Sequence, residues 1–232
     1  ASGGTNSPNF VQVSNFKDEF FLKAQTGTKD CRFPDGSFGD CKTTNKVPVD
    51  DFPPKLVWKP NNEGSDKSCE DGKEKNCNLT AGTYKDVTIK EGQTLTLQGG
   101  VYYFKELKFA EENVALEILG PTEIHYKKIM FEKSGVRVNA GPNAQPSESL
   151  LIIGHGEESH FYPKDDANDI LINAYVYVDN MADSDDNGFN FSAENNKLVG
   201  GVTANSISIS GRNNTIHASN KLNCFAPPST DI

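Results

Sequence analysis

Long apolar runs are missing from this 232-residue chain. With no stretch of about 18 apolar residues, no segment reads as a membrane-spanning helix. Basic excess is missing too: 23 Lys and Arg stand against 32 Asp and Glu, net −9, which argues against nucleic acid or an anionic membrane surface as the partner. There is no Gly-rich phosphate loop and no G-x-S-x-G elbow, the usual signs of nucleotide binding and of a serine hydrolase. Histidine is scarce, and His125, His155, His160 and His217 lack the spacing of a metal site. Arginine is confined to Arg32, Arg137 and Arg212. A polysaccharide lyase would need such a cation beside its metal to stabilise the developing enolate, and none falls in the acidic segment described below.

Cysteine is limited to Cys31, Cys41, Cys69, Cys77 and Cys224. None shows the C-x2-C or C-x4-C spacing of zinc sites. The first four fall as two close pairs in Gly/Asp/Lys-rich loops, so two local disulfides, Cys31 with Cys41 and Cys69 with Cys77, are expected, together with an oxidising compartment. Cys224 is left over near a Pro-containing end.

What the chain does have changes along its length. Residues 1–76 read as an irregular capping region with scattered Phe, one short amphipathic helix near residues 15–24 and a polar loop, KPNNEGSDKSCEDGKEKNC. Residues 77–220 carry short apolar alternations between Gly, Asn and Pro breaks. Examples are Val87/Ile89 with Leu95/Leu97, Leu107/Phe109 with Leu116/Ile118, and Ile207/Ile209 with Ile216. They repeat at roughly 18 to 27 residues, the length of one coil of a parallel β-helix, whose apolar face is buried only by stacking on the next. An antiparallel sandwich or jelly roll also has short alternating strands, but at 8 to 12-residue spacing without the longer period. The expected fold is therefore all-β, a right-handed parallel β-helix, with residues 221–232 as a linker. The Asn pairs 195/196 and 213/214 suit turns in the left-handed region and could ladder between coils; the plainer reading is ordinary loop asparagine.

Acidic charge is concentrated. Between His155 and Glu194 ten carboxylates oppose Lys164 alone, net −9 in 40 residues. Inside it, DSDDNGFNFSAE matches the calcium-loop pattern D-x-[DN]-x-[DN]-G-x5-E. Asp183, Asp185 and Asn187 would supply oxygens, Gly188 the turn, Phe189 a backbone carbonyl and Glu194 a bidentate carboxylate, with Asp179 or the Asp165/Asp166/Asp169 cluster as neighbours. Because FNF already reads as the next strand, Glu194 is the weakest ligand of the set. Calcium is the expected cofactor, against a solvated Asp/Asn/Gly turn between coils. GHG at residues 154–156 and the Asp165/Asp166 pair look like fragments of polygalacturonase motifs, but their order is reversed. Tyr175, Tyr177, Phe161 and Tyr162 could form a sugar-stacking platform, although alternating Tyr more often packs a sheet face.

The string CNLTAGTYKDVTIKEGQTLTLQGGVYYFKELKF, with INAYVYVDN and GGVTANSISISGRNNTIH downstream, resembles the β-helical domains of MshQ-like and PilX-like surface proteins of the mannose-sensitive haemagglutinin type IV pilus system. The resemblance covers about residues 77–219. It implies a Gram-negative cell-surface or pilus-linked protein, non-catalytic and adhesive, whose partners would be pilus or outer-membrane assembly components and host or environmental glycans. It supplies no catalytic set. A polysaccharide lyase or hydrolase on the same scaffold, and a purely structural stalk, are the competing expectations.

Overall fold

The computed structural model describes residues 31–32, 38–39, 58–60, 64–68, 76–156, 159–161, 163–164, 166–179, 188–204, 207–209 and 211–218. The expected helix near residues 15–24 lies outside them. Two short strands, β1 (Cys31–Arg32) and β2 (Phe38–Gly39), pair antiparallel. From β3 (Ser65–Ser68) onward every pairing is parallel and joins one coil to the next, which makes a β-solenoid of about six turns.

Each coil has three faces. On the first lie the N-terminal parts of β5 (Gly82–Ile89), β7 (Gly100–Phe109) and β9 (Thr122–Phe131), then β11 (Leu150–His155) and the later residues of β12 (Leu171–Asp179) and β14 (Lys197–Ala204). On the second lie β4 (Asn76–Leu79), β6 (Thr94–Leu97), β8 (Ala115–Ile118), β10 (Arg137–Val138), the starts of β12 and β14, and β16 (Thr215–Ala218). The third takes the C-terminal halves of β5, β7 and β9, then single bridges from Phe131 to Pro163 and from Phe161 to Phe189, and finally β13 (Phe189–Phe191) paired with β15 (Ile207–Ile209).

Asn76, Thr94, Ala115, Arg137, Leu171, Lys197 and Thr215 share one register column, so successive coils advance by 18, 21, 22, 34, 26 and 18 residues. The 34-residue coil exceeds the expected range because an excursion, residues 139–149, separates β10 on the second face from β11 on the first without disturbing the register on either side. Asn139 anchors it: its Nδ2 donates to the carbonyls of Gln145 (3.0 Å) and Asn173 (2.9 Å), and its Oδ1 accepts from the Gln145 N–H at 2.8 Å.

The alternation seen in the sequence places one side-chain set inside. Val87, Ile89, Leu95, Leu97, Leu107 and Phe109 are all buried. Aromatic rings column along the third face: Phe109 on Phe131 (centroids 4.8 Å), Phe131 on Phe161 (5.2 Å) and Phe161 on Phe189 (5.3 Å). Such pairs contribute roughly 0.5–1.5 kcal/mol each beyond the area they bury.

The turn from third to second face uses one left-handed residue per coil. Gly92, Asn113, Gly135, Asp169, Asn195 and Asn213 all have φ between 55° and 77°, and each stands two residues before a column strand. Asn and Asp tolerate this region better than other residues bearing a Cβ. The Asn ladder read from the sequence is present: Asn213 Nδ2 donates to Asn195 Oδ1 (3.0 Å), the Asn196 N–H to Asn214 Oδ1 (2.8 Å), and the Ile170 N–H to Asn196 Oδ1 (2.9 Å).

Candidate functional site

Among the described residues, the outward side of the first face carries a contiguous group of polar and aromatic side chains. Strand alternation sends Ile124 and Tyr126 of β9 into the core, so Glu123, His125 and Lys127 point the other way. Register then sets Tyr103 of β7 and Ile153 of β11 on either side of His125, with Tyr177 of β12 beyond. His125 and His155 face outward, yet only 8% and 5% of their surface is exposed. Trp58 helps to cover them: its ring meets Tyr103 edge-on (5.6 Å, 87°) and His155 edge-on (5.6 Å, 75°). Tyr103 stacks on His125 at 4.6 Å, and Lys127 Nζ lies 5.1 Å from the Trp58 ring centroid, within cation–π range.

Beneath these rings runs a chain of hydrogen bonds. His125 Nε2 bonds Glu123 Oε1, and His125 Nδ1 meets His155 Nε2 at 2.7 Å. The hydrogen bond from His125 holds the Glu123 carboxyl below the usual carboxylate range; burial opposes this, and the charges of His125, Lys59 and His155 reinforce it. An ionised Glu123 can only accept, so His125 donates from Nε2 and its Nδ1 accepts the His155 Nε2–H. With its folded pKa depressed, Glu123 contributes stability above the ordinary carboxylate pKa, and that contribution is lost as pH falls through the depressed value.

Asp183, Asp185 and Asn187 lie outside the described residues, as does the side chain of Asp179. Gly188, Phe189 and Glu194 are described, and they are dispersed. The Gly188 carbonyl accepts the Phe161 N–H at 2.9 Å. Phe189 is a core residue, 1% exposed. Glu194 stands in the following corner, where its backbone bonds Asn168 and Asp169 and its exposed carboxylate lies 3.8 Å from Arg212 Nε. Asp169 occupies the left-handed turn column, and its carbonyl accepts from Arg137. Among the described residues, no group of three or more His, Cys, Asp or Glu is arranged to hold a metal ion. Cys77 is disulfide-bonded; Cys41 and Cys69 lie outside the described residues, as does the side chain of Cys31.

Two motifs are explained by packing. In GHG, Gly154 lies under the buried Tyr126 ring: a Cβ there would sit 2.6 Å from Tyr126 Oη, whose hydroxyl donates to the Ser159 carbonyl at 3.1 Å. Gly154→Ala should therefore cost about 1–3 kcal/mol by overpacking, read as a lower urea midpoint with an unchanged slope. In the Tyr/Phe platform, Phe161 is core and Tyr175 is 7% exposed, Tyr162 lies outside the described residues, and Tyr177 is half-buried, as are Trp58 and Tyr103. The sequence reading missed the outward group on the first face because Trp58, Tyr103, His125 and His155 fall in four separate segments. Their one signal is that Tyr103 and His125 both lie at outward-facing positions of strands one coil apart.

Comparison with known proteins returned no match to a family model, a curated protein or a solved structure. No helix among the described residues is long and apolar enough to cross a membrane.

Proposed function

We propose that the chain is a non-catalytic cell-surface module, linked to a pilus or outer-membrane assembly, that binds glycans on the outer wall of its first sheet face. The observation that carries this reading is the right-angled corner of Trp58 and Tyr103, rimmed by Glu123, Lys59 and Lys127. Aromatic rings offer flat apolar faces to the C–H side of a sugar, while flanking carboxylate and ammonium groups hydrogen-bond its hydroxyls. The resemblance to pilus-associated β-helical domains, the local disulfides and calcium in the acidic turn 183–188 belong to the same proposal.

A glycan array tests it. Binding is expected for the intact chain and is expected to fall by roughly 10-fold or more in Trp58→Ala, the loss of about 1.4 kcal/mol or more that removing a stacking ring implies. A chain that binds nothing on the array would instead be a structural stalk.

The second reading, a polysaccharide lyase or hydrolase, is favoured by one observation: a carboxylate–imidazole–imidazole chain is also a means of moving a proton. It requires unsaturated or new reducing ends from an acidic glycan, abolished by His125→Ala.

A further inference from the structure

Three lysines recur in step along one edge of the solenoid. Tyr84, Phe104 and Tyr126 are paired in register and buried, and so are Val87, Leu107 and Ile129 three residues further on. Between these two core columns the chain turns from the first face to the third. Lys85, Lys105 and Lys127 each take the first place in that turn, so one lysine recurs per coil at the spacing of neighbouring strands, about 4.8 Å. At its β9 end the row meets the aromatic wall: Lys127 is exposed, and its Nζ lies 5.1 Å from the Trp58 ring centroid, with the exposed Lys59 next to Trp58 in the chain.

The local charge is opposite in sign to that of the whole chain. The second place in the turn is held by Asp86, Glu106 and Lys128, and Lys128 Nζ stands 3.9 Å from Glu106. Counting Lys59, Lys85, Lys105, Lys127 and Lys128 against Asp86, Glu106 and Glu123 gives five positive and three negative charges, net +2, where the chain carries −9. Glu123 is already hydrogen-bonded to His125. Two carboxylates of the acidic segment, Asp169 and Glu194, stand at a different edge, the turn from third face to second. A neutral sugar chain would leave this row of ammonium groups unused.

We infer that the glycan bound at this wall is acidic, with a carboxylate on successive sugars, and that it runs along the solenoid axis from a sugar stacked at Trp58 past Lys127, Lys105 and Lys85 in turn. This rests on the glycan reading above and names its ligand class. One sugar of an extended 1,4-linked chain advances by close to the spacing of two coils, and the flexible four-carbon lysine stems take up the difference. Lys85 and Lys105 also hold contacts within the protein. An ammonium group has three N–H donors, so a ligand carboxylate adds to such contacts without replacing them.

Calorimetric titration with 1,4-linked oligouronates of increasing length, and with the same oligosaccharides after reduction of their carboxyl groups to alcohols, tests this. At low salt the longer oligouronates should bind about 10-fold or more tighter than their reduced counterparts, and added salt should shrink the difference. Lys127→Gln should weaken binding of short and long oligouronates alike. Lys85→Gln should weaken only the longer ones, because it stands at the far end of the row. Lys197→Gln, on the second face, should change neither. The inference is overturned, with the glycan reading intact, if reduced oligosaccharides bind as tightly as the oligouronates, or if Lys85→Gln, Lys105→Gln and Lys127→Gln all bind like the wild type. Uronate binding that survives Trp58→Ala but falls in the lysine variants would refute stacking at Trp58 and support the lysine row. No binding of either kind of oligosaccharide overturns the inference, and no binding anywhere on the glycan array overturns the glycan reading with it.

Discussion

Phe161→Ala is expected to destabilise the solenoid by about 3–5 kcal/mol, the usual cost of emptying a packed aromatic site. Phe161 is fully buried, 5.2 Å from Phe131 and 5.3 Å from Phe189, with Tyr126 at 6.5 Å. Its coil is the 34-residue one, and on the third face that coil contributes single bridges at Phe161 and Pro163 instead of a full strand. Few backbone hydrogen bonds hold this layer there, so the ring column carries much of the contact between the coils on either side. In a solenoid, stability is close to a sum of coil terms and nearest-neighbour interfaces. Losing two interfaces at once should broaden the unfolding transition as well as lower its midpoint. Phe161→Leu, which keeps most of the volume, should cost less than about 1.5 kcal/mol. Urea unfolding followed by circular dichroism measures both.

Asn214→Ala is expected to cost about 3 kcal/mol, read as a fall in the thermal midpoint. Asn214 Nδ2 donates to the carbonyls of Phe191 (3.0 Å) and Ala193 (2.7 Å), and its Oδ1 accepts the Asn196 N–H at 2.8 Å. Truncation leaves these backbone groups without that partner, and a buried group so orphaned costs about 1–3 kcal/mol, not additively. Asn214→Asp keeps the acceptor but turns a carboxylate oxygen toward the two carbonyls that Nδ2 served, so it should cost at least as much as Ala.

The coil period and the Asn ladder were legible because both are local. Val87/Ile89 and Leu95/Leu97 declare strands by alternation, and Asn195 and Asn213 declare left-handed corners by residue type. The 34-residue coil was not legible, since an excursion such as residues 139–149 leaves the flanking alternation intact and its anchor, Asn139, looks like any loop asparagine. The outer wall was hidden for a different reason. Which outward residues meet depends on coil length and register, and Trp58 reaches Tyr103 and His155 across many intervening residues. The acidic motif shows the opposite hazard. The pattern runs through Phe189, yet strand alternation had already marked FNF as β13, and Phe189 is inside the core.

The most direct test of the outer wall as the working surface is a titration of the intact chain with glycans from the array while the Trp58 indole N–H is followed by NMR. Saturable movement of that signal, together with those of Tyr103 and His125 and with no movement of core residues such as Phe161, is the expected result. Saturable binding that leaves Trp58, Tyr103 and His125 unmoved would contradict the proposal and place the ligand elsewhere on the solenoid.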